Sequence, residues 1–180
     1  MSKFVAMLRG VNVGGHHRVP MAELRALCTG LGWRDVQTYI QSGNVVFSAD
    51  GEERSLTAAL TTAASARFGF DVPVVVRSAA DLALTLAQNP FDPGAFSPTT
   101  LSVVFLAAPP PAAALAALDP ARSSADTLVP RGRDLYLLTP AGFAKTKYTL
   151  DWLERRLGGP ATARNWQTVT VLAEMSRAGG

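Results

Sequence analysis

One order of elements, strand, helix, strand, strand, helix, strand, runs through the first half of this chain and again through the second, and few architectures satisfy it. Residues 4–8 read as a buried strand, and a polar loop then leads to Pro20, which suits the first turn of a helix. Met21, Leu24, Leu27, Cys28 and Leu31 give that helix one apolar face, and Gly30 or Gly32 stops it. β-Branched and aromatic residues at 36–40 and 45–48 predict two strands, with Ser42-Gly43-Asn44 as a tight hairpin turn between them. A helix over 52–68 and a strand over 72–77 complete the first set.

The second set has strands at 101–107, 127–129, 135–138 and 160–163 and helices at 112–118 and 147–157. A last helix runs from Asn165, a good N-cap, to Arg177. Between the sets Ser78 is placed to cap a short helix ending at Gln88, and residues 89–94 read as a linker. The predicted fold is therefore α+β: duplicated ferredoxin-like βαββαβ units with antiparallel sheets and an additional C-terminal helix. The expected organisation is 1–78 for the first half, 79–99 for the connecting helix and linker, and 100–180 for the second half with the C-terminal helix.

This order carries a functional consequence. In a βαββαβ unit the right-handed crossover makes the first two strands parallel, so the loops that follow them leave the sheet at the same end. Residues 10–18 are thus expected to meet Ser42, Gly43 and Asn44.

Composition fixes the class of protein. With 48% hydrophobic and 17% charged residues the chain can fill cores and is far from the disordered class. The 14 Arg against 3 Lys, at a formal charge of +3 and a pI near 9.4, suit an anionic partner. Cys28 shares a helical face with leucines and reads as a buried inert thiol, and the absence of a disulfide framework suits a reducing cytoplasm. The run 4–8 is too short for a signal peptide, and Pro109, Pro110 and Pro111 break the other apolar stretch, so no membrane partner is expected.

The candidate ligand site is the 10–18 loop. Gly14 and Gly15 let backbone N–H groups approach a ligand, Arg9 and Arg18 bring charge with no acidic residue between them, Asn12 adds an amide, and a helix start follows. The competing reading is that Gly14 and Gly15 only permit positive backbone angles in a turn. The loop fits neither the Walker pattern nor G-x-G-x-x-G, and no cofactor is expected. His16 and His17 are adjacent, diverge, and have no third histidine to complete a metal site, so they read as solvated loop residues. Ser42 lacks a His and carboxylate partnership, and Asn44 reads as serving the turn. In the second half Lys147, with Lys145, forms another candidate anion patch, against which stands a solvated helix start with Thr146 as cap. Arg164 beside Trp166 could stack on a planar ligand, but Trp166, Val169 and Leu172 have the spacing of a core face.

Leu8-Arg9-Gly10-Val11-Asn12-Val13-Gly14-Gly15, Pro20-Met21-Ala22-Glu23-Leu24, the segment 39–47 and Arg164-Asn165-Trp166-Gln167-Thr168-Val169 closely resemble the bacterial family called domain of unknown function 1697. The resemblance covers nearly the whole chain. It implies two ferredoxin-like halves and no established activity. Thr146-Lys147-Tyr148 stands where that family typically shows Ser-Lys-Leu, and His16-His17 where a lysine or asparagine pair is common.

The leading expectation is a cytoplasmic binding module for a nucleotide or nucleic acid, using Arg9, Asn12, Gly14, Gly15, Arg18, Ser42, Gly43, Asn44, Lys147 and Arg164. The rivals are an enzyme on a small anionic substrate, which lacks an evident acid and base, and an oligomerising interaction protein.

Overall fold

A computed structural model describes residues 1–177. The first repeat runs β1 (Ser2–Leu8), α1 (Met21–Gly30), β2 (Arg34–Tyr39), β3 (Asn44–Ala49), α2 (Glu53–Phe68) and β4 (Val74–Ser78), and α3 (Ala79–Ala87) follows it. The second runs β5 (Leu101–Leu106), α4 (Ala112–Ala116), β6 (Thr127–Arg131), β7 (Asp134–Leu138), α5 (Leu150–Leu157) and β8 (Ala161–Asn165), and α6 (Trp166–Arg177) follows it. Both four-stranded sheets are antiparallel and share one order, β2-β3-β1-β4 and β6-β7-β5-β8. Two ferredoxin-like units in tandem, with a C-terminal helix, are what the repeated element order predicts.

The chain divides into two units, Met1–Ala83 with the closing segment from Val171, and Leu84–Thr170. The boundary falls inside α3. The end of that helix belongs with the second sheet because Thr85 Oγ1 donates to Asp134 Oδ2 and the Tyr136 hydroxyl donates to the Thr85 carbonyl, each at 2.6 Å.

Strand alternation builds the first core. Phe4, Ala6, Leu8, Val45, Phe47, Val74 and Val76 turn one sheet face toward Leu24, Cys28, Leu56 and Leu60 of α1 and α2. Trp33 stacks on Phe47 at 3.8 Å between ring centroids and 8° between planes. The alternate residues Val5, Met7, Val46 and Val75 are buried as well, which is why β1 reads as a continuous apolar run. In the second unit Val104, Leu106, Leu135 and Leu137 pack against Tyr148, Trp152, Leu153 and Leu157.

Three local expectations are corrected. The connection between β2 and β3 is the four residues 40–43, with Asn44 already in β3 opposite Tyr39, because Ile40 adopts a left-handed φ of 48° and turns the chain early. The helix expected from 147 starts at Leu150, because the backbone is extended at Thr146 and at Thr149, with ψ of 145° and 154°. Its cap is Thr149, which accepts from the Trp152 N–H, while Thr146 Oγ1 accepts from the Tyr148 N–H.

Candidate functional site

β1 and β2 both point to the same end of the first sheet, and the loops leaving that end meet as the crossover geometry requires. The Leu8 N–H donates to the Gly43 carbonyl at 2.8 Å. Gly43 has a φ of 84°, and a Cβ there would lie 2.8 Å from both Leu8 Cβ and Val11 Cγ2. Close approach of the loop to β1 therefore requires a glycine on both counts.

Within residues 10–18 the chain forms a miniature hairpin. The Asn12 N–H donates to the His17 carbonyl at 3.0 Å and the His16 N–H to the Val13 carbonyl at 3.1 Å. Gly14 and Gly15, both at positive φ, make the turn, which is the backbone of a type I′ hairpin. Among the described residues the N–H groups of Gly14 and Gly15 donate to no protein acceptor. Asn12 pins the hairpin at its base. Its Nδ2 donates to the carbonyls of Val19 at 2.9 Å and Gln41 at 2.7 Å, and its Oδ1 accepts from the Val19 N–H at 2.8 Å.

Each candidate residue can now be placed. Arg18 is exposed, Arg9 is half-buried with its N–H on the Pro73 carbonyl, and Gly14 and Gly15 are exposed at the tip. Asn12, Ser42, Gly43 and Asn44 hold the scaffold. Asn44 is fully buried and donates to the Tyr39 carbonyl at 3.0 Å and to Ser42 Oγ at 2.9 Å, so it serves the turn. These eight share one end of the first unit. Lys147, exposed, and Arg164 belong to the second unit.

Arg164 is not on the surface. It is 8% exposed in β8, and its guanidinium donates to Thr162 Oγ1 and the Ala163 carbonyl, both at 2.8 Å. Burial lowers its pKa to about 10. Arg77 holds the matching place in the first unit, opposite Val5 as Arg164 is opposite Val103, and it too is buried. Each arginine precedes a capping residue: Ser78 Oγ accepts from the Asp81 N–H and Asn165 Oδ1 from the Thr168 N–H. Trp166 is half-buried rather than core, while Val169, Leu172, Ala173 and Ser176 are buried on that helix face.

The reading of His17 as a solvated loop residue is corrected by its contact with Phe70. The ring of His17 lies on that of Phe70 with centroids 4.4 Å apart and 13° between planes, and its Nδ1 is 3.3 Å from the Gly10 carbonyl. His17 is therefore an ordered ring rather than a freely solvated one. Nothing in the sequence pairs it with a residue so distant. Ile40, 48% exposed, and Val13, 66% exposed, add apolar surface beside the hairpin.

Among the described residues no group of three His, Cys, Asp or Glu side chains could hold a metal, and no helix is long and apolar enough to cross a membrane. Cys28 is buried, which pushes its thiol up to about 12, so no thiolate nucleophile is available there.

The profile of the family described as a protein of unknown function, DUF1697, matches residues 1–136. The chain belongs to this family. Of solved structures, a conserved bacterial protein from Streptococcus pneumoniae is similar to this DUF1697 chain in fold, at a TM-score of 0.77 and 24% identity, covering 97% of this chain and 98% of that one. No curated protein sequence matches. Tyr148 is buried and donates its hydroxyl to the Asp119 carbonyl at 2.8 Å.

Proposed function

We propose that this DUF1697 protein is a cytoplasmic binding module whose ligand is a phosphate-bearing anion, such as a nucleotide or nucleic acid, held at the 10–18 hairpin. The observation that carries this reading is the preorganised tip. Gly14 and Gly15 present N–H groups without a protein acceptor, Arg18 is exposed on the same hairpin, and Asn12 fixes the hairpin to Gln41 and Val19. Donors held in place before binding cost little entropy when an anion arrives. Phosphate oxygens accept well from backbone N–H groups in such turns and more strongly from a guanidinium. The enzyme alternative has less support, since Ser42 Oγ already accepts from Asn44 and no carboxylate lies within residues 9–18.

Calorimetric titration with inorganic phosphate at low ionic strength tests the reading. Arg18→Ala is expected to weaken binding by about 1.5–3 kcal/mol, the value of a hydrogen bond to a charged group. Lys147→Ala should bind as the unaltered protein does. Absence of phosphate binding, or equal binding by Arg18→Ala, contradicts the proposal.

A further inference from the structure

An imidazole stacked on a phenyl ring, with its own residue exposed, needs an explanation at the end of a sheet where the neighbouring loop is basic. His17 occupies a left-handed backbone conformation, φ 53°, which is uncommon for a residue other than glycine. The conformation is held by the hairpin bond from the Asn12 N–H to the His17 carbonyl. It sets the ring parallel to Phe70, which is half-buried and packs against the first core. A carbonyl can only accept, so the contact between Nδ1 and the Gly10 carbonyl places the ring proton on Nδ1 and leaves Nε2 as an acceptor in the neutral ring. The imidazole is thus fixed in plane and rotation, with Phe70 on one face.

Resting on the anion-binding reading above, we propose that the His17–Phe70 stack is a platform for a nucleobase, and that the ligand is a nucleotide unit whose phosphate meets Arg18 and the Gly14-Gly15 turn. Stacking on a prefixed aromatic ring suits every base because every base has a π-face. Arg18 follows His17 in the chain and is exposed at the same end of the unit. A bare oxyanion uses only the charge and the turn; a nucleotide uses the ring as well. A free nucleotide and a single-stranded nucleic acid present the same unit.

The experiment compares ribose 5-phosphate, adenosine 5′-monophosphate and a single-stranded hexanucleotide at one low ionic strength. The nucleotide is expected to bind roughly tenfold more tightly than the sugar phosphate, the order of one base–aromatic stack. His17→Asn, which tolerates the left-handed backbone, should erase that difference and leave ribose 5-phosphate affinity unchanged. His17→Phe should retain it. Tighter binding of the hexanucleotide than of the mononucleotide identifies nucleic acid as the source, and equal binding identifies a free nucleotide. Equal affinity for nucleotide and sugar phosphate in the unaltered protein overturns the platform while leaving anion binding intact. If His17→Asn weakens both ligands alike, with unchanged thermal stability, the residue shapes the hairpin and the platform is overturned. Failure of all three ligands to bind overturns both readings.

Discussion

Asn12 Nδ2 donates to the Gln41 carbonyl at 2.7 Å, joining the hairpin after β1 to the loop after β2. Two loops far apart in sequence become one surface through this bond and its companions to Val19. A loop of this composition without the clamp would pay its ordering entropy on binding.

Asn12→Ala removes two donated bonds and one accepted bond, and the new residue sits at a φ of 56° that alanine disfavours. A loss of about 2–4 kcal/mol is expected, read from the denaturant midpoint. Hydrogen exchange at the Val19 amide should accelerate in parallel.

Gly43→Ala and Gly14→Ala both place a Cβ on a left-handed glycine, but only the first meets neighbours, Leu8 Cβ and Val11 Cγ2. Gly14→Ala should cost about 1–2 kcal/mol from backbone strain alone. Gly43→Ala adds overpacking and should cost about 2–5 kcal/mol. Comparable costs for the two would show that the junction of the loops yields easily.

Arg18→Ala should leave stability within about 0.5 kcal/mol, as for other surface substitutions. Arg164→Ala strips a buried guanidinium from Thr162 and Ala163 and should lower stability by at least about 2 kcal/mol without altering phosphate affinity. Paired unfolding and binding curves separate the two arginines.

Burial raises the Cys28 thiol from 9.0 to about 12. Between those values the unfolded chain releases a proton that the folded chain keeps, so this contribution to stability is intact below pH 9 and is lost as pH rises toward 12. By pH 10 the loss should reach about 1.4 kcal/mol. Denaturant midpoints at pH 8 and pH 10 should therefore differ more in the unaltered protein than in Cys28→Ala.

The fold was legible because it is written in periodicity. The repeated order of strands and helices sufficed to predict two antiparallel sheets, and the convergence of residues 10–18 with Gly43 followed from handedness. Capping by Asn165 and Ser78 was local chemistry and equally readable. What escaped was non-local or conformational. The burial of Arg164 depends on its strand position, which composition does not disclose. The start of α5 depends on which threonine hydroxyl meets which N–H: that of Thr146 accepts from Tyr148, and that of Thr149 accepts from Trp152 and caps the helix. The His17–Phe70 stack depends on the left-handed corner at His17, and histidine seldom announces one.

Amide NMR during titration with inorganic phosphate tests the placement of the site most directly. The largest shifts are expected at Gly14, Gly15 and Arg18, diminished in Arg18→Ala, with the amides of 101–165 unmoved. Shifts confined to the second unit, centred on Lys147, would contradict it.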